Sequence, residues 1–210
     1  MAKLSAEHCV HADDTMEVCA VSHRVQPAAV TDLEAAAATL AAAFDSYPWT
    51  RWSIPQDGYA ERLEQLQRLY LEFAHQHGIV LVADEVRGVL ALLPPDAPEP
   101  PPDFQQQVAD LHGDRLGVLG QVDIPAQPEN AWNLATLGVH PDSQGRGLGG
   151  ALVEAGLAAV GAVDAAAGTA LETSDERNVR LYERSGFTVT ATTSIPDGPV
   201  VYSMFRPAAH

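Results

Sequence analysis

The run Gln144-Gly145-Arg146-Gly147-Leu148-Gly149-Gly150 sets four glycines and one cation in seven residues. Glycines let a backbone approach a ligand closely, and where such a run opens a helix the first-turn N–H groups face outward unpaired. With the helix dipole behind them, those groups form a site for phosphate or pyrophosphate, to which Arg146 adds a charge-assisted contact. Gly145-x-Gly147-x-x-Gly150 also fits the dinucleotide fingerprint, but that fingerprint follows its strand directly, and here His140 to Gln144 intervene. The acid that the fingerprint expects about 20 residues on, at the end of the next strand, is matched only by Asp164, which stands before that strand. No Gly-Lys-Ser/Thr of a nucleotide-binding P-loop follows. Glycines that merely allow tight helix–strand packing are the remaining alternative.

Other residues carry chemistry by type. Asn178 and Tyr182 are four apart, so a helix puts them on one face. Tyr47, Trp49, Trp52 and Trp132 can line an aromatic amine pocket, or pack instead. Cys9, His11, Cys19 and His23 are zinc-ligand types, but the two cysteines lie ten apart, outside the usual short spacing, so no metal is expected.

The elements that must position these groups follow from pattern. Ala20–Gln26 alternates weakly as a first strand. Thr31-Asp32-Leu33-Glu34 has capping-box spacing and opens an alanine-rich helix to about Phe44. Asp45–Gln56, with Pro48 and Pro55, reads as a loop. Asp57 caps a second helix through Leu63, Leu66, Tyr70 and Phe73, which Gly78 ends. Ile79–Ala83 and Val86–Leu93 form a hairpin around Asp84-Glu85. Pro94–Pro102, six prolines in nine residues, is an extended connector. Asp103–Ile124 is helical with a break near Gly113 or Gly117.

The C-terminal third predicts a strand (Trp132–Val139), a helix (Gly147–Val163), a strand (Thr169–Thr173) and a helix (Asp175–Arg184). A hairpin of Phe187–Ile195 and Val200–Phe205 ends it, turning at Pro196-Asp197-Gly198. That order makes a mixed sheet with a parallel pair at its centre.

Leu134–Ala151 resembles the acyl-coenzyme-A motif of the GNAT superfamily of N-acetyltransferases, Gln/Arg-x-x-Gly-x-Gly/Ala. Gln144, Gly147 and Gly149 match it, preceded by Leu137-Gly138-Val139-His140-Pro141 where the family has its central strand. A second family signature follows in order, with Asn178, Tyr182, Gly186 and Phe187. The resemblance extends to the puromycin N-acetyltransferases of actinomycetes through Leu40–Phe44, Tyr47-Pro48, Leu171–Ser174 and Tyr182–Thr190. It runs thinly over residues 30–205 and is best after Trp132.

The resemblance implies an α/β (α+β) GNAT fold, a mixed and mostly antiparallel sheet with a splayed central parallel pair flanked by helices. It implies direct acetyl transfer from acetyl-CoA to a primary amine through a tetrahedral intermediate. The pyrophosphate would sit on the amides of Gln144, Gly145, Arg146, Gly147, Leu148, Gly149 and Gly150. The pantetheine would run beside Leu137, Gly138 and Val139, with the Leu137 N–H facing the oxyanion and Asn178 on the arm. Tyr182 would return a proton to the departing thiolate. The central strand holds no acid, so Glu172 on its neighbour stands in as general base, directly or through a water. Tyr47 and Trp132 are the substrate-side candidates, for a small amine such as a puromycin-like aminoacyl nucleoside. A protein α-amine acceptor, or an acetyl-CoA-binding module with weak catalysis, are the alternatives.

Composition bounds the rest. With 210 residues and 46% hydrophobic content, the chain has enough for one core, with residues 1–19 a loose extension and 20–210 the catalytic domain. Twelve Lys+Arg against 28 Asp+Glu, net −16, argue against nucleic acid or an anionic membrane as partner. Residues 1–130 hold 20 of those acids and 7 of the bases, so a site built there favours cations. No apolar run approaches the ~20 residues of a membrane span, and Met1–Val10 do not read as a signal peptide. Two cysteines fit a reducing cytoplasm.

Overall fold

The computed structural model describes residues 23–208. Seven strands form one sheet: β1 (Val25–Pro27), β2 (Ile79–Ala83), β3 (Gly88–Leu93), β4 (Ala131–Val139), β5 (Gly168–Thr173), β6 (Thr188–Ser194) and β7 (Val200–Arg206). Their order is β1-β2-β3-β4-β5-β7-β6. All neighbours are antiparallel except β4 and β5, the parallel pair expected at the centre. That parallel pairing is short. Ala131–Asn133 lie opposite Gly168–Ala170, and from Leu134 on β4 parts from β5.

One face of the sheet is covered by α1 (Leu33–Phe44) and α3 (Tyr59–His77), whose Ala36, Ala37, Leu40, Leu71 and Ala74 pack on Val80, Val82, Val89 and Ala91. On the other face lie α6 (Leu148–Val163) and α7 (Glu176–Arg184). Leu148, Leu152, Val153, Val160 and Tyr182 meet Leu81, Leu90, Leu92, Leu134, Leu171 and Met204 there. Strands covered on both sides must be apolar on both faces, which is why Ile79–Ala83 reads as an unbroken hydrophobic run. Each leucine so buried contributes about 1.5–3 kcal/mol.

β4 carries a bulge that the alternation of its residues does not announce. Leu92 faces Leu134 and Ala91 faces Thr136, so Ala135 is the extra residue. Before it, Trp132 and Leu134 point to the α6–α7 side; after it, Leu137 and Val139 do. Gly138 is thereby turned toward α1, where a Cβ would stand 2.6 Å from Leu40 Cδ2 and 3.1 Å from Ala43 Cβ.

Several expected elements are revised. A 3-10 turn, Val30–Asp32, precedes α1; the Asp32 carboxylate accepts the Ala29 N–H at 2.9 Å and the Asp32 N–H donates to the Ala29 carbonyl at 2.9 Å, so the cap lies two residues ahead of Thr31 and Glu34. The Asp45–Gln56 stretch contains a helix, α2 (Pro48–Ser53). Pro48 occupies its first position, where a missing N–H costs nothing, so the proline starts the helix and does not mark a loop. Asp57 does not cap α3, whose N-cap is the left-handed Gly58; its carboxylate takes Arg62 Nη2 at 3.2 Å. The β2–β3 turn extends over Asp84, Glu85 and Val86, all with positive φ, which delays β3 to Gly88. β1 starts at Val25, and Ala20–Ser22 lie outside the described residues, as do residues 1–19. After the proline segment, α4 (Pro102–His112) breaks at Gly113 (φ 52°) and a short α5 (Leu116–Leu119) follows.

Candidate active site

Where β4 leaves β5, a cleft of about 430 Å³ opens between the start of α2, the end of β4, the glycine loop and α7. It lies at the carboxyl ends of the parallel strands, where crevices in such sheets bind ligands. A groove of about 540 Å³ beside Glu129, Gly168 and Phe205 lies at their opposite ends, and among the described residues no helix N-terminus lines it.

The loop between β4 and α6 begins with a 3-10 turn, Pro141–Ser143, and is tied back by Gln144 Nε2 donating to the Val139 carbonyl at 3.0 Å. Gly145 (φ 75°) and Gly147 (φ 86°) are left-handed, a conformation that glycine adopts without strain. Among the described residues, the N–H groups of Gly145 to Gly150 find no protein acceptor, and Gly147 is the N-cap of α6. A Cβ on Gly150 would touch no protein atom within 4 Å, so a ligand, and not the fold, gains from its bareness. Unpaired amides, a helix N-terminus and open backbone together suit a pyrophosphate. Gln144, Gly145, Gly147, Leu148, Gly149 and Gly150 line the cleft, as do Leu137, Gly138 and Val139. Arg146 is the exception. It does not line the cleft, and its carbonyl is held from behind by His23 Nε2 at 2.8 Å.

α7 starts at Asp175, whose carboxylate accepts the Arg177 N–H at 2.8 Å and pairs with its guanidinium at 2.6 Å. That pairing holds the Asp175 carboxyl below the usual carboxylate range. The helix brings Asn178 and Tyr182 to the cleft on one face, as their spacing requires. Asn178 Nδ2 donates to Thr173 Oγ1 at 3.4 Å. Tyr182 is 5% exposed, edge-on to Phe187 at 5.6 Å. Burial pushes its hydroxyl far above the ordinary phenol range, and neighbouring Tyr47 raises it further. The group therefore stays protonated at neutral pH and is able to donate.

Tyr47 also lines the cleft; its Oη accepts the Ser174 N–H at 2.7 Å and lies 2.9 Å from Thr173 Oγ1. Trp132 does not join it. It is 5% exposed and packs in the core under α6 and α7, in the stretch of β4 that is still paired with β5 and where the cleft has not yet opened. Trp49 and Trp52 on α2 lie with ring centroids 5.5 Å apart and planes tilted by 50°, and a Cβ on Gly198 of the β6–β7 turn would stand 2.9 Å from Trp52 Cε2. Glu172 is exposed on β5 outside the cleft lining, where Gln127 Nε2 donates to both its oxygens at 2.8 Å.

Three participants escaped the sequence reading. Thr173 and Ser174 anchor Tyr47, and their only local signal is a pair of hydroxyls before the Asp175 cap. His23, considered above only as a zinc-ligand type, has both ring nitrogens engaged, by Asp84 and by the Arg146 carbonyl. Cys9, His11 and Cys19 lie outside the described residues. No helix among the described residues is long and apolar enough to cross a membrane.

Residues 103–189 match the family model of the acetyltransferase (GNAT) domain. A stretch of 79 residues is 39% identical to mycothiol acetyltransferase of Propionibacterium freudenreichii, covering 35% of this chain and 22% of that protein. The match thus spans about a fifth of that relative's length. A Corynebacterium glutamicum structure described as histone acetyltransferase HPA2 and related acetyltransferase superposes with a TM-score of 0.72. It is 27% identical, over 90% of this chain and 98% of that one. The NatC complex bound to Gag peptide and CoA shares the fold, with a TM-score of 0.51, 14% identity, and coverage of 90% of this chain and 100% of that one.

Proposed function

We propose that this chain, which carries a GNAT-type acetyltransferase domain, transfers the acetyl group of acetyl-CoA to a primary amine of a small molecule. One observation carries the reading: a single cleft unites an unpaired helix N-terminus, an open strand edge and the phenol of Tyr182. Residues 20–210 act as one catalytic unit in the cytoplasm, with residues 1–19 appended.

Acetyl-CoA supplies an activated thioester. The amides of Gly145 to Gly150 bind its pyrophosphate. The β4 edge from Leu134 to Val139, unpaired with β5, takes the pantetheine amides as an added strand would. Asn178 holds the same arm from α7. The Leu137 N–H polarises the thioester carbonyl as the amine attacks and the C–N bond forms. Tyr182 donates its proton to sulfur as the C–S bond breaks. Glu172 takes the proton that the amine sheds, through a water, since its carboxylate stands outside the cleft lining.

The acceptor is an amine on an aromatic, cationic small molecule of the puromycin-like aminoacyl-nucleoside kind. Tyr47, at the start of α2 and on the cleft wall beside Phe44, supports an aromatic acceptor. The test is a mass-spectrometric assay of the purified protein with acetyl-CoA and puromycin, beside a pool of small amines and peptides. Acetylated puromycin is expected. Acetylation of another amine or of a peptide N-terminus would replace the acceptor and keep the mechanism. Bound acetyl-CoA with no acetylated product would turn the reading to a binding module.

A further inference from the structure

His23 lies just ahead of β1, behind the glycine loop. Its Nδ1 is 2.6 Å from Asp84 Oδ2, and its Nε2 is 2.8 Å from the Arg146 carbonyl. The side chain is 7% exposed. Asp84 is fixed in turn: it begins the left-handed β2–β3 turn, and its Oδ1 accepts the Arg24 N–H at 3.0 Å. Both partners of the ring are acceptors. A neutral imidazole donates from one nitrogen and would face the other acceptor with a lone pair, so the doubly protonated ring alone satisfies both.

The carbonyl that His23 holds belongs to the Arg146–Gly147 peptide, which is trans. In a planar trans peptide the C=O and N–H point in opposite directions. Fixing the Arg146 oxygen from behind therefore aims the Gly147 N–H away from His23. Gly147 lines the cleft, and its N–H has no protein acceptor among the described residues. We propose that His23 is a positioning residue for the cofactor, bracing the Arg146 carbonyl so that the Gly147 N–H is presented to the phosphate groups at the mouth of α6. This rests on the acetyl-CoA reading above and extends it to a residue behind the loop.

The brace depends on pH. Asp84, from the β2–β3 turn, is the charged group facing the ring among the described residues; Arg146 contributes its carbonyl only. The Asp84 hydrogen bond, followed by that of the Arg146 carbonyl, raises His23 above its ordinary value of 6.5. The brace is complete below pH 6.5; as pH rises through the folded-state pKa, the one proton left on the ring stays with the Asp84 carboxylate and the Arg146 carbonyl loses its donor.

The test measures CoA dissociation constants by calorimetry for the wild type, His23→Phe, His23→Gln and Asp84→Asn, across neutral to alkaline pH. The His23 ring is titrated by NMR in the unliganded protein. His23→Phe keeps ring volume but loses both donors, and should weaken CoA binding about tenfold at neutral pH. His23→Gln keeps one N–H for the Arg146 carbonyl and should recover most of that loss. Wild-type affinity should fall toward the His23→Phe value as pH rises; comparing the two proteins removes the titration of the ligand's own phosphate. The ring should titrate above 6.5 and drop in Asp84→Asn. CoA affinity in folded His23→Phe within twofold of wild type at neutral pH would overturn the assignment while leaving the acetyl-CoA reading intact. So would an unliganded ring titrating at or below 6.5. A wild type that binds no CoA at any pH would remove the acetyl-CoA reading itself, and this assignment with it.

Discussion

Tyr47 Oη and Thr173 Oγ1 lie 2.9 Å apart although 126 residues separate them in the chain. The bond fastens the start of α2 to the end of β5, and the Ser174 N–H reinforces it at 2.7 Å. One wall of the cleft thus hangs on a single phenol. Tyr47→Phe keeps the ring against Phe44, 5.2 Å away, and strands the Ser174 N–H. The expected cost is about 1–2 kcal/mol, or a few degrees of melting temperature at ~2–4 °C per kcal/mol. The KM for the amine should rise while CoA affinity holds. Steady-state kinetics beside a thermal melt checks this, and an unchanged KM would mean that α2 needs no such anchor.

Tyr182→Phe separates proton donation from packing, since the Phe187 contact survives. Turnover should fall by about 10²–10⁴-fold, with CoA affinity within about twofold. Burial raises the hydroxyl above its ordinary value of 10, so the acid form persists across neutral and mildly alkaline pH. The wild-type kcat should accordingly show no decline below about pH 10 that vanishes in the variant. A pH–rate profile of both proteins that revealed such a limb would remove Tyr182 from the donor role.

Gly138→Ala places a Cβ 2.6 Å from Leu40 Cδ2 and 3.1 Å from Ala43 Cβ. Overpacking there should cost about 1–3 kcal/mol and push α1 off β4 beside the cleft. Denaturant unfolding measures the loss. Full stability would show that α1 gives way freely, against the close packing of Ala36 and Ala37.

Asp175→Ala removes the cap of α7 and should destabilise the protein by about 1 kcal/mol near neutral pH. The folded carboxyl titrates below its unfolded value because Arg177 pairs with it. Its stabilisation is therefore present above about pH 3.9 and lost as pH falls through the folded-state value. The gap in melting temperature between wild type and Asp175→Asn should close on acidification. A gap constant down to pH 2 would assign the cap to hydrogen bonding without charge.

The glycine loop was legible because its signal is local: four glycines between a strand pattern and a helix pattern. The Asn178–Tyr182 face was legible because helical spacing needs no tertiary information. Trp132 stands in the core and not on the cleft wall, since the point where β4 parts from β5, which decides which β4 residues reach the cleft, is set by pairing between distant strands. α2 was hidden because Pro48 and Pro55 read equally as loop punctuation and helix start. His23 and Thr173 act through partners more than a hundred residues away, which no window along the chain contains.

Three residue pairs join β1–β4 to the β5–β7–β6 half of the sheet. In mechanical terms these are two plates on a hinge about 10 Å long. Val139 stands six residues beyond that hinge, a lever of about 20 Å, so a swing of ~5° would move it by about 1.7 Å. Gly168 sits on the hinge line, and a Cβ there would press within 2.6 Å of the Phe205 ring. One limit on the gauge of the slot thus lies at its far end, in residues that line none of the cleft.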